Sequence, residues 1–151
     1  MAVRDDRRDR DRRGPAQQPN SAELLANGHI LIADENNNRA IEVTHDNAKK
    51  IVATFTAGGT ASGVAFASRL PNGHTLLTDS NNSRIVEVNR AGQPVWQYFT
   101  NDPKGNSAPL PTRAVRLRDG ETLISDQFKT GSSKSRGPRP WAGRSPGRSE
   151  P

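Results

Sequence analysis

Cysteine is absent from the 151 residues, so neither disulfides nor thiolate metal ligands are available to this chain. Apolar residues are also scarce, at 31% of the chain with 5% aromatic against 25% charged, so the packed core must be smaller than the length would allow. No apolar run approaches the roughly 20 residues that span a bilayer, and the basic N-terminus is not followed by the apolar stretch of about 7–15 residues that marks a signal peptide. A basic face is missing too, despite a net charge of +6. Residues 1–18 carry six Arg against four Asp, and residues 129–151 carry two Lys and four Arg against Glu150, while residues 19–128 have ten basic and eleven acidic side chains. The positive charge belongs to the two ends, which argues against nucleic acid as a partner.

What the chain does contain is an internal repeat. Leu25–Val43 (LANGHILIADENNNRAIEV) recurs as Leu70–Val88 (LPNGHTLLTDSNNSRIVEV), with 11 of 19 positions identical at an offset of 45, and a third copy opens at Leu117–Asp126 (LRDGETLISD), 47 residues after the second. The repeat divides the chain into an Arg/Asp-rich tail at 1–18, units at 19–63 and 64–111, the start of a third unit at 112–128, and a Gly/Pro/Ser/Arg tail at 129–151. Each full unit reads as four strands separated by turn chemistry: in the first, 22–25, 29–33, 39–44 and 50–55, and in the second, 65–70, 74–78, 84–89 and 94–99. Asn27-Gly28 and Asn72-Gly73 are expected to supply the positive φ angles of a tight hairpin. Leu31-Ile32 and Leu76-Leu77 place apolar residues on opposite faces of one strand, so both faces should be covered. Evenly spaced strands with a period of about 40–50 residues are the pattern of stacked propeller blades.

The repeated phrase is a leucine, an Asn-Gly turn, an apolar strand, Asp, Asn-Asn, Arg and a Glu-Val strand end, followed in the second unit by a Gly turn and Val95-Trp96-Gln97-Tyr98. It resembles the blades of NHL-type propellers, and equally those of bacterial quinoprotein-like and arylsulfotransferase-like propeller proteins, over about residues 20–128. The resemblance implies an all-β fold of two to three four-stranded antiparallel blades of an incomplete β-propeller, flanked by disordered tails. It implies little about chemistry, because these families bind and process very different things. The compartment stays open, an extracytoplasmic one being compatible with a longer bacterial parent.

The candidate sites all admit structural explanations. Asp34, Asn36 and Asn38 have the alternate spacing of a calcium loop, but that pattern would want Gly where Arg39 stands and Glu where His45 stands. Side chains bonding the backbone of the loop between strands two and three are the expected role, and Asp34, Asp79 and Asp126 recur as a scaffold feature should. Arg39 and Arg84 each lie five residues after the repeated Asp and three before Glu42 and Glu87, so an Asp–Arg–Glu ladder within or between blades is expected. His29 and His74 follow the two Asn-Gly turns in register, where a general base has no reason to repeat, and the third copy has Glu121 instead. The resemblance would also allow pyrroloquinoline quinone, yet Trp96 sits in an outer strand suited to packing between blades, so no cofactor and no metal are expected.

The tails are too poor in apolar residues to fold alone. For the C-terminal one a further reading is available, in which the third blade is translated in a frame displaced by one base. A TCN serine codon then becomes NTC, always Val, Ile, Leu or Phe. Ser132-Ser133-Lys134-Ser135 becomes apolar, apolar, NAA, apolar, and Gly131 becomes NGG, which is Arg for a C in the free position and falls at the spacing seen from Asp79 to Arg84. Closed propellers need roughly four to eight blades, so the expected state is a truncated section of a larger propeller, or one that meets further blades or associates with itself. The expected function is a non-catalytic scaffold or binding module. The competing expectation is a fragment of a propeller enzyme whose catalytic residues lie in other blades.

Overall fold

The computed structural model describes residues 14, 16–58, 63–101 and 108–127, and the backbone of 133–136. Its strands are β1 (Pro19–Leu24), β2 (Ile30–Asp34), β3 (Arg39–Val43), β4 (Ile51–Phe55), β5 (Val64–Arg69), β6 (Thr75–Asp79), β7 (Arg84–Val88), β8 (Pro94–Phe99), β9 (Pro111–Arg116), β10 (Glu121–Asp126) and β11 (Ser133–Arg136). They form three antiparallel meanders in sequence order: β1-β2-β3-β4, β5-β6-β7-β8 and β9-β10-β11. The all-β, blade-like architecture expected from the repeat is what the chain adopts. Its registers repeat as well. Leu31 faces Glu42 and Asp34 faces Arg39 in the first sheet, as Leu76 faces Glu87 and Asp79 faces Arg84 in the second.

The sheets stack face to face, which is why β6 can be apolar on both sides. Leu77 joins Val64, Ala67, Val86 and Val88 against Leu31, Ala33, Ala40 and Phe55 of the first sheet. Its neighbour Leu76 points the other way, joining Leu70 and Ile85 against Ala114 and Ile124 of the third, with Trp96 and Tyr98 at the margin. Consecutive residues of a strand point to opposite faces, and each Leu or Val buried this way contributes about 1.5–3 kcal/mol.

The hairpins between first and second strands differ in detail from the sequence expectation. Gly28, Gly73 and Gly120 have φ of 83°, 84° and 85°, while Asn27 and Asn72 do not enter the positive region. The loop is three residues long: the glycine N–H donates back to the carbonyl of Leu25, Leu70 or Leu117, and that leucine's N–H donates to the carbonyl of His29, His74 or Glu121. A three-residue hairpin needs only its last position left-handed. The asparagine instead uses its side chain, Oδ1 accepting from the N–H of His29 at 3.0 Å and of His74 at 2.9 Å, and Asp119 does the same for Glu121 at 2.9 Å.

Residues 133–136, assigned to the tail from sequence, form β11 against β10. Gly14 and Gln17, also in an expected tail, bond to the first sheet, as described below. Residues 1–13, 15, 129–132 and 137–151 of the two tails lie outside the described residues.

Candidate functional site

Two polar constellations recur at opposite ends of the second strand of the first and second sheets. The first is built where the polypeptide leaves β2 and β6. Asn38 and Ser83 adopt left-handed φ of 55° and 50°, closing a single 3-10 turn over Glu35–Asn37 and Ser80–Asn82. That turn carries Asn37 Nδ2 to both oxygens of Asp34, at 3.0 and 2.9 Å, and Asn82 Nδ2 to those of Asp79, at 3.1 and 3.0 Å. Arg39 Nε donates to Asp34 at 2.8 Å and Arg84 Nε to Asp79 at 2.7 Å. The arginine then reaches the connector entering its own sheet: Arg39 Nη2 donates to the Gly14 carbonyl at 2.9 Å, and Arg84 Nη2 to the carbonyls of Ala57, at 3.0 Å, and Gly58. The carboxylate holds the same connector, since Asp34 accepts from the Gln17 N–H at 2.8 Å and Asp126 from the Leu110 N–H at 2.9 Å. The repeated Asp, the Arg or both therefore staple the incoming connector to each sheet. Asp34 is wholly buried, with three donors making these four contacts to its two oxygens, and Asn36 is exposed. Among the described residues no group of three His, Asp or Glu side chains could hold a metal ion.

The second constellation lies at the hairpin end and crosses between sheets. His29 Nδ1 is 2.7 Å from Glu42 Oε1, and Asn27 Nδ2 donates to the same oxygen at 3.0 Å. The other oxygen accepts from Arg69 Nη2 at 2.6 Å. Arg69 starts on β5, lies 5.1 Å from the centre of the Phe55 ring and donates to the Gly73 carbonyl at 3.1 Å. The second copy matches: His74 Nδ1 is 2.7 Å from Glu87 Oε1, Arg116 Nη2 from β9 is 3.0 Å from Oε2, and its guanidinium lies 4.8 Å from the Trp96 ring centre. Asn72 Nδ2 completes the pattern at 3.5 Å from Glu87. With the carboxylate ionised, Nδ1 of each histidine carries the proton and donates. Burial pushes the Glu42 carboxyl up, but the bonds from His29 and Asn27 and the charge of Arg69 outweigh it and hold the group below its ordinary range. A cleft of 650 Å³ opens over this group between the first two sheets, lined by Glu23, Asn27, Glu42, Phe55, Arg69 and Arg90 among others.

This geometry corrects the expected Asp–Arg–Glu fork. Arg84 and Glu87 are three residues apart on one strand and so point to opposite faces. Arg84 serves Asp79, while Glu87 takes its cation from Arg116 on the next sheet. Arg69 and Arg116 stand outside the repeated phrase, and their one signal in the sequence is that both directly precede its leucine, as Arg69-Leu70 and Arg116-Leu117. The first copy has Leu24 in that place, 67% exposed. Trp96 is half-buried, stacked with Tyr98 at 6.4 Å between ring centres and packed at the margin of the second core.

No family model and no curated protein matches the sequence. Solved structures do match the fold. Virginiamycin B lyase from Staphylococcus aureus superposes with a TM-score of 0.59 at 17% identity, over 85% of this chain and 44% of that one. A streptogramin B lyase structure gives 0.57 at 18% identity, over 85% and 43%. A protein of unknown function from Bacteroides caccae gives 0.53 at 17% identity, over 68% and 36%. The chain spans less than half the length of each of these structures, and at such identities the likeness is one of architecture: the three stacked meanders have the β-propeller-like fold.

Proposed function

We propose that this chain is a three-blade section of a larger β-propeller, and that the section itself is a non-catalytic scaffold or binding module of the NHL, quinoprotein-like or arylsulfotransferase-like type. The observation that carries the reading is the duplication of the His–Glu–Arg group. A catalytic constellation is built once, where a substrate meets it, whereas this one recurs at consecutive sheet junctions with the same atoms in contact. Its chemistry suits joining: a carboxylate buried at the margin of one sheet needs a cation, and the arginine of the next sheet brings it while covering an aromatic ring. The test is to pair Glu42→Gln with Arg69→Ala and follow unfolding in urea. A coupling of about 1 kcal/mol or more is expected between partners of this kind. Strict additivity would remove the joining role.

The likeness to lyases favours a second reading, in which the longer parent is a propeller enzyme whose catalytic residues lie in other blades. Both readings leave this section itself inactive, and incubating the chain with virginiamycin B and following the compound by mass spectrometry tests that shared expectation. Unchanged compound is expected, and turnover would overturn the non-catalytic reading.

A further inference from the structure

In β11, position says more than composition. Thr122 faces Ser135, Leu123 faces Lys134 and Ile124 faces Ser133. In the second sheet Thr75 faces Val88, Leu76 faces Glu87 and Leu77 faces Val86. The offset of 47 that carries Asp79 onto Asp126 also carries Val86, Glu87 and Val88 onto Ser133, Lys134 and Ser135. The stretch between the paired strands has therefore kept its residue count while losing its repeat sequence. An unrelated tail has no reason to keep that count. A reading frame displaced by one base keeps it necessarily, because every codon changes and their number does not.

We propose that the residues after Phe128 are the outer half of the third blade encoded out of frame. The third sheet is then built to receive a strand of the form Arg-apolar-apolar-Glu-apolar, and over it a fourth blade that directs an arginine at the glutamate. The inference rests on the propeller-section reading and adds the identity of the missing partner.

The codon argument is tightest at position 135. Both lysine codons end in A or G, so a TCN serine there becomes ATC or GTC, Ile or Val, where the first two copies have Val43 and Val88. Beyond the strand, Gly137 and Pro138 become NGG and NCC, which admit the Arg and Ala of Arg90-Ala91, and Gly143 becomes NGG, which admits Trp at the offset of Trp96. Position 139 admits no glycine in that frame, so the turn glycine Gly92 has no counterpart there.

Charge points the same way. Glu42 receives Arg69 and Glu87 receives Arg116, each arginine coming from the first strand of the following sheet. The corresponding place in the third sheet belongs to Lys134, the wrong sign for an incoming guanidinium.

The first test is the coding sequence across codons 126–151. In the displaced frame it should spell Arg at 131, apolar residues at 132, 133 and 135, and Glu at 134. An AGY serine codon at 133 or 135, or TAA at 134, would overturn the proposal. A second test is independent of the codons. The fivefold variant Gly131→Arg, Ser132→Val, Ser133→Ile, Lys134→Glu, Ser135→Val should slow amide exchange at Leu123 and Ile124 by about tenfold or more relative to the unaltered chain, as a better-packed strand closes on β10. Unchanged or faster exchange would overturn the proposal. Circular dichroism on both chains keeps the two readings apart: absence of β-structure in both would sink the propeller section itself, whereas β-rich spectra with unchanged exchange would sink only the frame assignment.

Discussion

Asp79 and Arg84 illustrate how a buried charge is made tolerable. The carboxylate is wholly buried and the arginine side chain partly so, and the pair is completed by Asn82 and by carbonyls of the connector. Removing one member strands the other, at a cost of about 3–5 kcal/mol for a buried pair. Arg84→Ala and Asp79→Ala should each lower the urea midpoint, and their double mutant should lose much less than the sum. Arg84→Ala combined with Glu87→Gln should instead be additive, since the two face opposite sides of β7 and serve different partners; coupling between them would contradict the separation of the two constellations. Glu42 adds a pH dependence. Its folded-state pKa lies below the ordinary one, so its contribution is present at neutral pH and is lost as pH falls through the ordinary carboxylate range and below it. Glu42→Gln should flatten the acid limb of the stability curve, and an unchanged acid limb would mean that the Arg69 and His29 contacts add nothing.

At the scale of the element, the hairpin is the most demanding piece. Gly73 has φ of 84°, and a Cβ there would come within 2.3 Å of the Arg90 Nε. Gly73→Ala should destabilise the second sheet by more than the roughly 1 kcal/mol of a left-handed alanine, because Arg90 must also move aside. Gly28→Ala, with the same φ class and open space around it, should incur only the backbone cost; equal losses at the two sites would show that Arg90 does not pack there. These elements were legible in the sequence because turn chemistry and strand alternation are local. The strand starts were less so: β1 begins at Pro19, three residues ahead of the apolar run, since main-chain pairing with β2 continues past it through a bulge. The interblade arginines were illegible for another reason. Arg69 and Arg116 look like ordinary strand-end cations until the next sheet brings them over a glutamate 27 and 29 residues away in sequence.

For the whole molecule, stacking leaves the two terminal sheets with one face each that no further sheet covers among the described residues. Ile30 and Ile32 on β2 of the first sheet are only partly buried, while Thr75 and Leu77, their counterparts on β6, are buried. Uncovered apolar faces and strand edges invite association. The chain should elute from a sizing column as concentration-dependent oligomers, and blocks of the repeat supplied in frame after Phe128 should reduce that tendency. A monodisperse monomer of residues 19–128 that unfolds cooperatively would show that two and a half blades suffice.

The sequence by itself determined the repeat, its offsets, the strand-and-turn order and the need for β6 to be covered on both faces, because all of these follow from residue spacing and local backbone preference. Which side chains join in pairs was decided only by the tertiary structure. Glu42 and Glu87 carry no sign in the sequence of which arginine supplies their cation. Strand alternation forbids the near arginine, and stacking supplies the far one.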